Sequence, residues 1–148
     1  MATPAKFATP PVLKALRQVL LADAGLVARL GARVFAEAAV PASAPTSGEY
    51  LTLGPFTEVP RNTMGSGAKW GSELTVPMKV VSYSLDVAPA YTLLGQIIAL
   101  LDGQSIPVEG YRTAWVQLEM VQDPYTELVA GVEVHHFPAL FRVHVHES

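Results

Sequence analysis

Across residues 72–84 the chain alternates with a period of two. Leu74, Val76, Met78 and Val80 fall on one side, and Thr75, Lys79 and Tyr83 on the other. That pattern reads as a strand with one apolar face. A second run behaves the same way, with Ala114, Val116, Leu118 and Met120 on one face and Trp115, Gln117 and Glu119 on the other. Two long strands of this kind need an apolar layer over their common face, and segments of helical period elsewhere in the chain supply it.

Thr9 followed by Pro10 and Pro11 reads as a helix start, a hydroxyl cap and then prolines where no amide donor is needed. Val12, Leu16, Val19 and Leu20 then share a face, with Lys14, Arg17 and Gln18 off it. Leu26, Val27 and Leu30 suggest one more short helix ending at Gly31, and Arg33-Val34-Phe35 leads into an extended segment. The second main helix opens at Asp86 and Pro89, carries Tyr91, Leu94, Ile97, Ile98 and Leu101 on its apolar face, and closes at Asp102-Gly103. Residues 50–58 read as another strand, and 37–49 and 60–71 as loops. Pro77 points to an edge or a bulge, because proline removes a ladder donor. Near the C-terminus, Val132 and Val134 sit on even positions but Phe137, Phe141, Val143 and Val145 on odd ones. A bulge or break over 136–138 is therefore expected. Together these elements predict a single α+β domain over residues 1–148, with 1–9 as a flexible arm. Its expected form is an antiparallel sheet of about four strands with two main helices packed on one face.

The opposite sheet face, with Trp115, Tyr83 and Val121, is poorly suited to water. Composition agrees: half the residues are hydrophobic and 16% are charged, against roughly 25% in ordinary soluble domains. Burial in an obligate oligomer accounts for such a surface. A membrane does not, because the most apolar stretches, 12–34 and 91–101, are broken by Lys14, Arg17, Asp23, Arg29, Gly95 and Gln96. The N-terminus lacks the features of a signal peptide, so a cytoplasmic life is expected. A net charge of −3 with ten scattered Lys and Arg residues argues against tightly held nucleic acid. With no cysteine, disulfides, thiolate metal sites and cysteine nucleophiles are excluded.

Catalytic templates fail one by one, and the chain is not expected to be an enzyme. Gly65-Ser66-Gly67-Ala68-Lys69 has the wrong spacing for a phosphate loop and no hydroxyl after the lysine. There is neither a G-x-S-x-G elbow nor an H-E-x-x-H pair. His144 and His146 share a strand face and could chelate a metal with His136 or Glu147, but they also read as a polar stripe opposite Phe141, Val143 and Val145. No catalytic, cofactor or metal site is assigned. The better candidate is the 60–71 loop, where Trp70 with Arg61 and Lys69 has the composition of an interface anchor. With Tyr83 and Trp115 of the open sheet face, these form the expected partner interface.

The run Leu13-Lys14-Ala15-Leu16, then Leu20-Leu21-Ala22-Asp23-Ala24-Gly25-Leu26 and Leu30-Gly31-Ala32-Arg33-Val34-Phe35, resembles the opening of the phage tail-completion (tail-terminator) family. Tyr50-Leu51-Thr52-Leu53-Gly54 is similar to a strand of that family, with Glu49 where proline is common. Trp70-Gly71-Ser72-Glu73-Leu74-Thr75-Val76 and Val80-Val81-Ser82-Tyr83-Ser84 look like its long second strand. The likeness runs from about Val12 to Val145, and residues 125–136 depart from it by being longer than a short turn.

The resemblance implies a virion protein, assembled in the host cytoplasm, that sits as a homo-oligomeric ring, commonly a hexamer, on the head-proximal end of the tail. Its partners would be other copies of itself, the tail tube protein and the head–tail connector proteins, with DNA passing through the lumen unbound. A mildly acidic subunit suits that passage. Related readings are a head–tail joining protein of the neck or a tail-tube protein. From other classes come a histidine-based metal- or ligand-binding domain and a monomeric adaptor that takes a peptide along a sheet edge.

Overall fold

The computed structural model describes residues 8–31, 33–36, 49–62, 69–83, 86–129 and 131–147. The elements, in chain order, are helices α1 (Thr9–Ala22) and α2 (Ala24–Leu30), strands β1 (Val34–Ala36), β2 (Glu49–Leu53), β3 (Thr57–Asn62) and β4 (Lys69–Ser82), helix α3 (Ala88–Leu101), and strands β5 (Gln104–Ser105), β6 (Tyr111–Val121), β7 (Tyr125–Val129) and β8 (Val132–Glu147). The α+β class is as expected, but the sheet is larger: eight strands among the described residues, ordered β1-β2-β4-β8-β6-β5, with β3 also on β4 and β7 also on β8. It is mixed, because β1 runs parallel to β2. The four-strand antiparallel expectation undercounted because β1, β5 and β7 are too short to show alternation, and because 50–58 is two strands. Gly54, at φ +103°, turns the chain between those two.

Strands β4 and β8 form the spine, paired antiparallel from Gly71↔His146 to Ser82↔His135. Each has two successive neighbours on its outer side. Along β4, β3 covers residues up to Thr75 and β2 takes over at Met78. Along β8, β7 ends at His136 and β6 begins at Ala139. Pro77 and Pro138 occupy the two changeovers. Their carbonyls accept from Gly54 N at 2.8 Å and Gln122 N at 3.1 Å. In a strand the amide and carbonyl of one residue point the same way, so each missing N–H faces a gap between neighbours. Pro77 therefore sits in a central strand, not at the edge or bulge expected for it.

The change of parity in β8 also has a different cause from the one expected. The β4–β8 register runs through 136–138 without a shift. Val134 and His136 are buried on one face, and Phe137, Ala139 and Phe141 on the other. The covered face changes, not the pairing. The bulges lie elsewhere, in β3 at Arg61/Asn62 and in β6 at Tyr111/Thr113 and Leu118/Met120. The last of these sets Met120 opposite Leu140 and Val121 opposite Ala139. Val121 thus leaves the face of Trp115, where alternation had placed it, and Met120 takes that side.

Helices α1, α2 and α3 cover one face. Val12, Ala15, Leu16 and Leu20 of α1, Leu26 and Leu30 of α2, and Ala90, Leu93, Leu94, Ile97 and Leu101 of α3 are buried. They meet Leu74, Val76, Met78 and Val80 of β4 and Phe137, Phe141, Val143 and Val145 of β8 in one core. Tyr91, expected on the buried side of α3, is half exposed and sets its ring edge against Phe137, 4.9 Å between centroids.

Helix α1 is capped from a distance. Its own preceding residue makes no side-chain cap, and the Thr9 hydroxyl donates where it was expected to accept. The acceptor is the carboxylate of Glu58 in β3, which takes Ala8 N at 3.0 Å, Thr9 N at 2.9 Å, Thr9 Oγ1 at 2.8 Å and Ser72 Oγ at 2.8 Å. Ala8 is fully buried, so the fold begins inside the stretch read as an arm; residues 1–7 lie outside the described residues.

Candidate interface on the open sheet face

Residues of β3, β4, β8 and β6 that point away from the helices form a row of charges. Arg61 Nε lies 3.1 Å from Glu73 Oε2, and a second nitrogen of the same guanidinium contacts that oxygen. Glu73 Oε1 meets Arg142 Nη1 at 2.8 Å, and Arg142 Nη2 pairs with Glu119. The hydrogen bond from Arg61, with the nearby Arg142 charge, outweighs desolvation and holds the Glu73 carboxyl below its usual range. Four strands are thereby laced across one face, although pairs this exposed each add little to stability.

Of the residues expected at the interface, Arg61 is on this face but is engaged by Glu73. Trp115 is on it too, 47% exposed and paired in register with His144. Tyr83 lies beyond the end of β4, its ring 6.4 Å from that of Tyr50, which meets Phe35 at 5.9 Å. Burial and then the Tyr83 hydroxyl push the Tyr50 phenol above its ordinary value. The backbone of Lys69 and Trp70 opens β4; their side chains, like residues 63–68, lie outside the described residues. What read as a loop over 60–71 has paired arms, Arg61↔Gly71 and Asn62↔Lys69. Pro60 and the polar residues around it concealed the strand.

Residues 125–136, longer than the short turn of the family pattern, form a β-hairpin: β7 lies antiparallel on the first part of β8, from Tyr125↔His136 to Val129↔Val132. All five residues of β7 are exposed, Leu128 at 71%. Sequence reasoning missed this surface, although Tyr125, Leu128, Val129 and Val132 were legible as apolar residues around a Gly131 turn. The base of the hairpin is fixed by His136, stacked on Tyr125 with centroids 4.6 Å apart. His136 Nε2 is 2.9 Å from Glu127 Oε2.

Burial first, then the positive charge of Lys79, depresses the pKa of His136 below 6.5, outweighing the pull of Glu127. The folded state therefore favours the neutral ring. Its contribution to stability is full above pH 6.5, declines as the pH falls below that, and is lost as pH drops through the lower folded value. Protection factors of the hairpin amides, corrected for the slower intrinsic exchange in acid, should fall between pH 7 and 5, and His136→Phe should remove that dependence.

Among the described residues no group of three or more His, Asp or Glu side chains is placed to hold a metal. No described helix is long and apolar enough to cross a membrane.

The chain is similar over 96% of its length to a solved structure described as the virion of a native gene transfer agent particle, with 21% identity, 99% of that chain covered and a TM-score of 0.77. A second solved chain matches over 97% of this one and 99% of its own length, at 17% identity and a TM-score of 0.65. No curated protein matches. At these identities the structural likenesses speak for the fold. A family model, that of tail completion protein gp17, matches residues 14–132. From α1 through the β7 hairpin, the chain belongs to the tail completion protein gp17 family.

Proposed function

We propose that the chain is a single-domain structural protein of a phage-type tail, acting as a closed homohexameric ring at the head-proximal end of the tube. Family membership across residues 14–132 carries this reading. The likeness to a chain of a gene transfer agent virion supports a place in a particle. A structural tail family implies a non-enzymatic role, in keeping with an exposed face whose charges pair with one another. The ring ends polymerisation of the tube protein and offers the head connector a surface, while DNA passes through without specific binding. Arg61, Lys69, Trp70, Tyr83 and Trp115 are proposed to contact partners there. A heterologous contact repeated around an axis closes into a ring.

The test is growth of purified tube protein with and without the chain, followed by electron microscopy. Added at one ring per tube, it should stop elongation and be found at one tube end. Unchanged tube length would overturn the reading. Filaments formed by the chain alone would make it a tube protein instead, and binding to connector without effect on tubes a neck protein.

A further inference from the structure

The end strands of the sheet are not equally protected. Strand β1 has three residues and β5 two, while β3 carries Pro60 and a bulge. The outer side of β6 is met by Asp102, Gly103 and Ile106, and a bulge interrupts it further on. Short strands, prolines and bulges are the usual defences against unwanted strand pairing. Strand β7 has none of them. It is five residues of Tyr-Thr-Glu-Leu-Val, in unbroken register with β8 on one side, without proline or lysine.

We infer that the outer edge of β7 is a pairing site for a second copy of this chain, which rests on the ring reading above. Apolar surface flanks this edge on both faces of the sheet. Tyr125, Val129 and Val132 of the hairpin share the open face with Met120 of β6, and Leu128 and Val121 lie on the opposite face; all six are 43% to 71% exposed. The four on the open face offer on the order of 400 Å² of apolar-residue surface, about half of the roughly 800 Å² per partner of a standard interface. The contact is head-to-tail. Two β7 strands paired antiparallel about their centres would set Glu127 against Glu127, and like charges directly opposite are destabilising. The edge therefore receives a different element of the neighbour, the geometry that makes rings rather than two-fold dimers.

The experiment combines mass measurement of the full chain over a concentration series with hydrogen exchange of the amides of residues 125–129. Assembly should slow exchange in β7 at least tenfold. Leu128→Lys, at a side chain the core does not hold, should weaken assembly at least tenfold without moving the melting temperature of the monomer, and Leu128→Ile should assemble normally. Rings whose β7 amides stay unprotected, or a Leu128→Lys variant that assembles as the parent does, would overturn this site and leave the ring intact. A chain monomeric at every concentration would overturn both. Protection that comes only with added tube protein would assign the edge to that partner and refute self-pairing.

Discussion

Gly71→Ala is expected to destabilise the chain by at least about 3 kcal/mol, at the upper end of what overpacking costs. A Cβ at Gly71 would lie 2.0 Å from the carbonyl oxygen of Val145 and 3.2 Å from the Cα of His146. These are backbone atoms of β8, so no rotamer change relieves the overlap. The spine of the sheet must separate at the end where Gly71 pairs with His146. The denaturation midpoint in urea reads the loss. Gly95→Ala is the control: it lies inside α3, its added Cβ meets nothing within 4 Å, and the change should gain up to about 1 kcal/mol. Equal effects of the two substitutions would mean that β4 and β8 do not approach as described.

Removal of the Glu58 carboxylate should have the next largest effect, about 2–4 kcal/mol for Glu58→Ala. The change strips the cap from α1 and leaves Ala8 N, Thr9 N and the hydroxyls of Thr9 and Ser72 without their shared acceptor. Loss of a cap costs about 1 kcal/mol, and each buried donor left unpaired about 1–3 kcal/mol more, less whatever water recovers. A negative charge at a helix N-terminus also complements the helix dipole. Burial alone would raise the pKa of this carboxyl, but the hydrogen bonds from Ala8, Ser72 and Thr9 prevail and hold it below 4.5. The stabilisation is therefore present above pH 4.5 and disappears as the pH falls through the lower folded value. Stability curves of parent and variant should converge in acid; a constant gap across pH would contradict the cap.

Local pattern carried the helices and the long strands, because burial on one face writes itself into every second or every third to fourth residue. What it could not carry were relations between distant residues. Pro77 looks like an edge signal until β2 and β3 are known to meet beside it. Glu58 lies about 50 residues from the amides it caps, so the Thr9-Pro10-Pro11 start was legible but its acceptor was not. The parity change in β8 marks a change of cover that only the β7 hairpin and the opposing strands explain. For the interface, Trp115 was placed on the open face by alternation alone. The β7 edge escaped because five residues in a β-rich stretch do not say which strand they pair with until their register with β8 is seen.

The most direct test of the ring is the mass of the purified chain by light scattering after gel filtration, over a range of concentrations. A single closed species of about six subunits is the predicted result, since a head-to-tail contact that closes gives one size. A monomer at every concentration, or a distribution growing without limit, would contradict it.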